Sequence, residues 1–148
     1  MKTSAPYRNF HHCVSLAAYN CGEIYKSGQR KGGVHTIKPD ADFPAFDVFC
    51  DQTRAGGGWT VFQKRVDGSV EFFLNWSDYK VGCGDPNGES WLRLENIRRL
   101  TSDDNSMLRV DLEDFKGNTA YAEYNKFGVM SENDKYKLKL GSYSGDLI

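Results

Sequence analysis

The sequence has little of what several function classes need. It holds three His among 148 residues, two of them adjacent at His11-His12. Its four cysteines, Cys13, Cys21, Cys50 and Cys83, form no C-x-x-C pair, which argues against a structural zinc site. No apolar run approaches the roughly 20 residues that span a bilayer, so no membrane insertion is expected. Met1 to Phe10 lacks the apolar centre of a signal peptide, and the nearest run, Val14 to Ala18, is short and broken by Ser15. The formal net charge is -1, so charge alone gives no footprint for nucleic acid or an anionic membrane. Internal repeats, heptads and G-X-Y triplets are missing.

Signatures of catalysis are missing as well. Gly56-Gly57-Gly58 is followed by Trp59 and not by the Lys-Ser/Thr of a phosphate-binding loop. It reads as a turn whose backbone comes close to a neighbour. There is no G-x-S-x-G elbow, and no His stands in a nucleophile motif with Cys13 or Cys83. Asp111, Glu113 and Asp114 lack the spacing of an EF-hand. They read as a solvated strand face paired with Lys or Arg of the next strand. Asp103-Asp104-Asn105 reads as a turn, and His11-His12 as exposed linker residues. Neither an enzyme nor a metal site is expected.

What is present is an aromatic-rich, glycine-rich chain: nine Phe, eight Tyr, three Trp and fifteen Gly. Rings of this kind fit a strand-built core joined by tight turns. Four cysteines suit disulfides and allow three pairings. Apolar residues recur at helical spacing from Val14 to Tyr25, with Gly28 as the stop. Strands are predicted at Val34 to Ile37, Ala45 to Asp51 and Trp59 to Arg65. Asp67-Gly68 signals a hairpin between Arg65 and Val70. Asn75 to Lys80 suggests a short helix, and Glu89 to Leu100 a longer one with Trp91, Leu94, Ile97 and Leu100 as its apolar stripe. Met107 to Phe115, Thr119 to Val129 and Tyr136 to Leu140 read as a closing meander. Helices early and strands late make an α+β domain.

Several runs together resemble one family. They are Asn20-Cys21, Gly33 to Pro39, Phe46-Asp47-Val48-Phe49-Cys50-Asp51, and above all Gly56 to Val70 (GGGWTVFQKRVDGSV). Asn75 to Lys80, Gly88-Glu89 with Trp91-Leu92, Leu108 to Phe115, Gly117 to Ala122 and Tyr143-Ser144-Gly145 continue the series in order. The chain is similar to the fibrinogen C-terminal-like (fibrinogen-related) domains of the ficolin, tachylectin and angiopoietin-like kind.

The resemblance implies residues 1–19 as a tail and helix start, and 20–148 as the domain. It implies a Cys21–Cys50 disulfide in a small N-terminal subdomain, then a central antiparallel β-sheet with short flanking helices. Trp59, Trp76 and Trp91 become packing residues. Cys83 and Ser90 stand where the family usually has Phe, so two core side chains look shrunken. Cys13 and Cys83 are left as free thiols, as partners of one another, or as inter-chain thiols, with a homo-oligomer through Cys13 as the expected use.

The resemblance also implies a third subdomain beyond Ile148. In the family it carries a Ca²⁺-binding acidic loop, a second disulfide and the pocket for acetylated sugars or a peptide terminus. Ligand-binding residues, and any Ca²⁺, are therefore expected beyond Ile148, and this sequence is expected to be an incomplete version of the fold. The implied function is a secreted, lectin-like recognition module of innate defence that binds glycans or proteins. The alternatives are a structural or signalling domain that binds extracellular or cell-surface proteins, and a truncated product with no ligand site of its own.

Overall fold

The computed structural model describes residues 17–146. The first helix, α1 (Cys21–Lys26), starts where Asn20 caps it, with Oδ1 accepting the Glu23 N–H at 3.0 Å. It is shorter than the periodicity predicts. Ala18 is extended instead, and its carbonyl accepts the Lys38 N–H at 2.9 Å beyond the end of the first strand. Val14 lies outside the described residues. The helix closes at Gly28 as expected. The Gly28 N–H reaches Tyr25 O and the Gln29 N–H reaches Ile24 O, the paired bonds of a Schellman end.

Strands β1 (Gly33–Ile37), β2 (Phe46–Asp51) and β3 (Trp59–Val61) form an antiparallel sheet in that order. Phe46, Val48 and Cys50 share a face by strand alternation, and the last two are fully buried. Cys50 bonds to Cys21 of α1, the pairing implied by the resemblance. Cys21, Ile37, Val48 and Cys50 are the most deeply buried cluster, with Ile24, Phe46, Leu92 and Leu100 packed around it. Leu92 and Leu100 come from the central part of the chain, so the bridge sits in a core shared by both parts.

Trp59 to Arg65 is not one strand. The chain bends at Phe62, and β4 (Gln63–Lys64) leaves β3 for a second sheet. There it pairs with β6 (Ser90–Trp91), which also pairs with β5 (Cys83–Gly84). The long helix predicted from Glu89 is correspondingly cut. Ser90 and Trp91 are strand residues, Leu92 N–H bonds Phe62 O at 2.8 Å, and only α3 (Leu94–Leu100) is helical. The short helix α2 (Trp76–Val81) follows an Asn75–Asp78 capping box.

The closing meander is β7 (Leu108–Glu113), β8 (Thr119–Tyr124), β9 (Phe127–Val129), β10 (Leu138–Leu140) and β11 (Tyr143–Gly145). β8 and β9 realise the single strand predicted from Thr119 to Val129, bent at Asn125-Lys126. The pairing runs on across the bend through Asn125 N to Ser142 O at 3.1 Å and Gly141 N to Lys126 O at 2.9 Å. The architecture is α+β, with antiparallel sheets throughout and short helices beside them.

One expectation about side chains changes. Trp76 is not a core residue; 55% of it is exposed, at the start of α2. Trp91 does pack, edge-on to Phe62 (centroids 6.0 Å) and Tyr79 (5.1 Å). Cys83 and Ser90 are half-buried on paired strands, Cys83 opposite Trp91 and Ser90 opposite Gly84.

Candidate recognition surface

Three built features lie outside the N-terminal core. The first is the loop after β4. Glu89 is buried, and its Oε1 accepts the N–H groups of Val66 (2.7 Å), Asp67 (2.9 Å) and Gly68 (2.8 Å). Its Oε2 accepts the Val70 N–H at 3.0 Å and faces Arg65 at 3.4 Å. These donors, Val66 first, then Val70 and Gly68, hold the carboxyl down at about 2. The hairpin predicted at Asp67-Gly68 does not form, because one carboxylate takes the bonds that a second strand would have made. Arg65 lies over Phe72 at 3.9 Å and donates to Val70 O. The loop is thereby fixed, with Phe73 almost wholly exposed.

The second feature is the outer face of β7 and β8. Arg109 binds Asp111 on its own strand (Nε–Oδ1 3.0 Å) and Glu123 across the ladder (2.6 Å), and it covers Tyr121 at 4.2 Å. Strand alternation puts Asp111 and Glu113 on one face and Asp114 on the other. Asp111 faces Arg109 of its own strand rather than a cation of the next one. Asp114 builds the hairpin turn, accepting from Lys116 N, Asn118 N and Asn118 Nδ2. Only Glu113 is left over, so these carboxylates do not fit a Ca²⁺ cradle, which needs several oxygens converging on one point. Asp103 forms the expected turn by accepting the Asn105 N–H.

The third feature is a shallow depression where the C-terminal end of α3 meets β9 and β10. Two adjoining hollows of about 200 and 240 Å³ share Asp104, Gly128 and Lys139. Arg98, Lys126 and Lys139 border them, with Met130 and Leu140 as apolar wall. Gly128 is buried between Thr101 and Lys139. Thr101 fixes the seam, because its Oγ1 donates to Ile97 O and accepts the Val129 N–H. Leu138 and Leu140 are exposed beside it.

Of the residues singled out from sequence, Cys21 and Cys50 come together. Cys83 is a free, half-buried thiol on β5. His11, His12 and Cys13 lie outside the described residues. Sequence reasoning missed Glu89, which it placed in a helix, and it missed the hollow beside Gly128. The signal for Glu89 was an acid placed directly after the Gly82–Gly88 turn and just before Trp91-Leu92. For the hollow it was Lys126 and Lys139, each beside an apolar residue on paired strands.

The match to known proteins decides the family. The family described as fibrinogen beta and gamma chains, C-terminal globular domain, matches residues 17–147. The chain belongs to the fibrinogen C-terminal domain family. Among fibrinogen-domain relatives, Fibrinogen C domain-containing protein 1 of Xenopus tropicalis is 48% identical over 131 residues, covering 85% of this chain and 29% of that protein. Microfibril-associated glycoprotein 4 of Homo sapiens is 47% identical over 129 residues, covering 84% of this chain and 51% of that protein. The fibrinogen-like globe domain of human ANGPTL2 superposes with a TM-score of 0.84 at 43% identity, over 87% of this chain and 60% of that one. A lamprey fibrin D-dimer complexed with the peptide Gly-His-Arg-Pro-amide superposes with a TM-score of 0.81 at 34% identity, over 98% of this chain and 46% of that one. The chain therefore spans about half or less of the curated relatives named here.

Proposed function

We propose that the chain is an extracellular, non-catalytic recognition module that docks a protein partner on the depression beside Gly128. The observation that carries this reading is the form of that surface. The two hollows adjoin in one shallow, open depression that does not enclose a small molecule. They suit an acidic segment of a protein, its carboxylates meeting Lys126 and Lys139, the latter only loosely paired with Asp104 at 3.9 Å, and an apolar neighbour covering Met130 and Leu140; Arg98 at the rim is held by Glu95. The Cys21–Cys50 bridge supports an oxidising, extracellular setting. The lamprey fibrin D-dimer, complexed with a short peptide, gives a family precedent for binding a protein segment, though not for this position.

Recognition of acetylated glycans is the finer, lectin-like form of the reading. It rests on the family resemblance and on residues expected beyond Ile148, as does any role for Ca²⁺. A homo-oligomer bridged through Cys13 belongs to the same proposal.

Parallel arrays of extracellular proteins and of acetylated sugars, probed with the secreted chain, test it. Saturable protein binding that survives deglycosylation of the target, and falls at least tenfold in a Lys126→Glu, Lys139→Glu variant, is expected. Binding confined to acetylated sugars moves the function to the lectin form. Silence on both arrays overturns recognition by this chain.

A further inference from the structure

Asn75-Trp76-Ser77 is an N-x-S acceptor triplet for an N-linked glycan. It is the only such triplet in the 148 residues. The structure places it in the open, at the exposed first residues of α2. Asn75 Oδ1 accepts the Asp78 N–H at 3.1 Å, and the Asp78 carboxylate accepts the Asn75 N–H at 3.3 Å. The box fixes the amide with its oxygen toward the helix and its nitrogen away from it. Nδ2 has no acceptor among the described residues. A glycan on Nδ2 therefore leaves the capping oxygen in place.

The surroundings point the same way. Phe73, two residues before Asn75, is 96% exposed, and Trp76 directly after it is 55% exposed. Phe73 is bare and Trp76 rests only in part on Tyr136 (centroids 6.2 Å), so much aromatic surface faces water, which is costly. Phe73 is also held in place: its N–H donates to Glu71 Oε1 at 2.6 Å, and the loop before it is anchored on Glu89. A pyranose offers rows of C–H hydrogens, which the negative face of an aromatic ring attracts.

We propose that Asn75 carries an N-linked glycan whose first N-acetylglucosamine units cover Phe73 and Trp76. In the transfer, Nδ2 attacks C1 of an oligosaccharide linked to a lipid pyrophosphate. The N–C1 bond forms, the C1–O bond to the lipid pyrophosphate breaks, and a base of the transferase takes the Nδ2 proton. The inference rests on the extracellular reading, because the transfer takes place in the secretory pathway.

The test expresses the full chain behind a secretory leader in mammalian cells and maps the peptide that holds Asn75. A glycan is expected there, removable by peptide N-glycosidase to leave aspartate. It is expected to vanish in Asn75→Gln and Ser77→Ala and to persist in Ser77→Thr. Transfer precedes export, so a retained chain is scored on the same peptide. An unmodified Asn75 in a product with the Cys21–Cys50 bridge formed overturns the inference and leaves the extracellular reading standing. A product with neither bridge nor glycan overturns both. For the stacking, enzymatic removal of the glycan is expected to lower the melting temperature of the parent and not that of Phe73→Ala, Trp76→Ala. An equal shift in the two overturns that part.

Discussion

Glu89 holds Val66: its Oε1 accepts the Val66 N–H at 2.7 Å across 23 positions of sequence. Three further amides of the same loop converge on this carboxylate, and a buried acceptor with four donors is not replaced by water. Glu89→Gln keeps the shape but turns an NH₂ toward donors. It is expected to lower the melting temperature by roughly 5–10 °C. Hydrogen exchange at residues 66–70 is expected to speed up while the β1–β2 amides stay protected. A melting curve and exchange map unchanged by the substitution contradict this role.

The same carboxylate sets a pH dependence. Its folded value of about 2 lies below an ordinary Glu, near 4.5, because Val66 and the other amides favour the anion. The unfolded chain therefore binds the proton more readily than the folded one. The stabilisation is fully present above about 4.5 and is lost as pH falls from there toward about 2. Carbon-detected NMR titration of the Glu89 carboxyl is expected to show a midpoint near 2, with the Val66 amide shift moving in step. A midpoint near 4.5 refutes the account.

Gly57 is required by contact as well as by conformation. Its φ is +78°, and a Cβ there would lie 2.5 Å from both Gln52 O and Tyr25 Cε2. Gln52 is itself buried, its side chain bonding Gly58 N at 2.8 Å. Gln52 O is a backbone atom and does not give way. Gly57→Ala is expected to cost about 3 kcal/mol or more in urea unfolding, against about 1 kcal/mol at an open left-handed glycine such as Gly68. Equal costs at the two positions defeat the steric argument.

The contrast between Gly57 and Glu89 shows what could be read from sequence. The triple glycine, the β2 alternation and the short helix at Asn75 to Lys80 depend on neighbours in sequence, so local pattern was enough to read them. Trp91 is different. Its spacing from Leu94 and Ile97 fits a helical stripe, yet Ser90 and Trp91 are claimed by β4 and β5, which arrive from residues 63–64 and 83–84. Tertiary pairing overrode local periodicity there. The hairpin predicted at Asp67-Gly68 failed for the same reason, since its donors are taken by a residue 19 to 23 positions away. The Gly128 depression needs α3, β9 and β10 together, and no single segment encodes it.

The Cys21–Cys50 bridge closes a separation of 29 residues in the most deeply buried cluster. Loop-closure entropy for that length is worth about 3–4 kcal/mol. Cys21→Ala with Cys50→Ala also removes packed sulfur atoms, so the variant is expected to lose at least that much. Reduction of the parent is expected to give a similar loss. A melting temperature that does not change on reduction rules out a stabilising bridge.

Arg99 and Asp40 tie the central part to the N-terminal sheet. The Arg99 side chain is 5% exposed, with Nε at 2.6 Å from Asp40 Oδ2 and Nη2 at 3.4 Å from Oδ1. Its guanidinium lies 5.0 Å from the Phe46 ring centroid and 5.3 Å from that of Phe43. The Arg99 bond holds the Asp40 carboxyl below the usual carboxylate range. Lysine supplies the charge but neither the fork nor the flat stacking face. Arg99→Lys is therefore expected to cost about 1–2 kcal/mol and Arg99→Ala about 2–4 kcal/mol. Asp40→Asn keeps one acceptor oxygen but removes the counter-charge of a buried guanidinium, whose other side-chain acceptor, Asn96, is also neutral. A urea-unfolding cycle over Arg99→Ala, Asp40→Asn and the double variant is expected to give a coupling above about 1 kcal/mol. Additive losses would reduce Arg99 to a packing residue, with its two rings accounting for the whole effect.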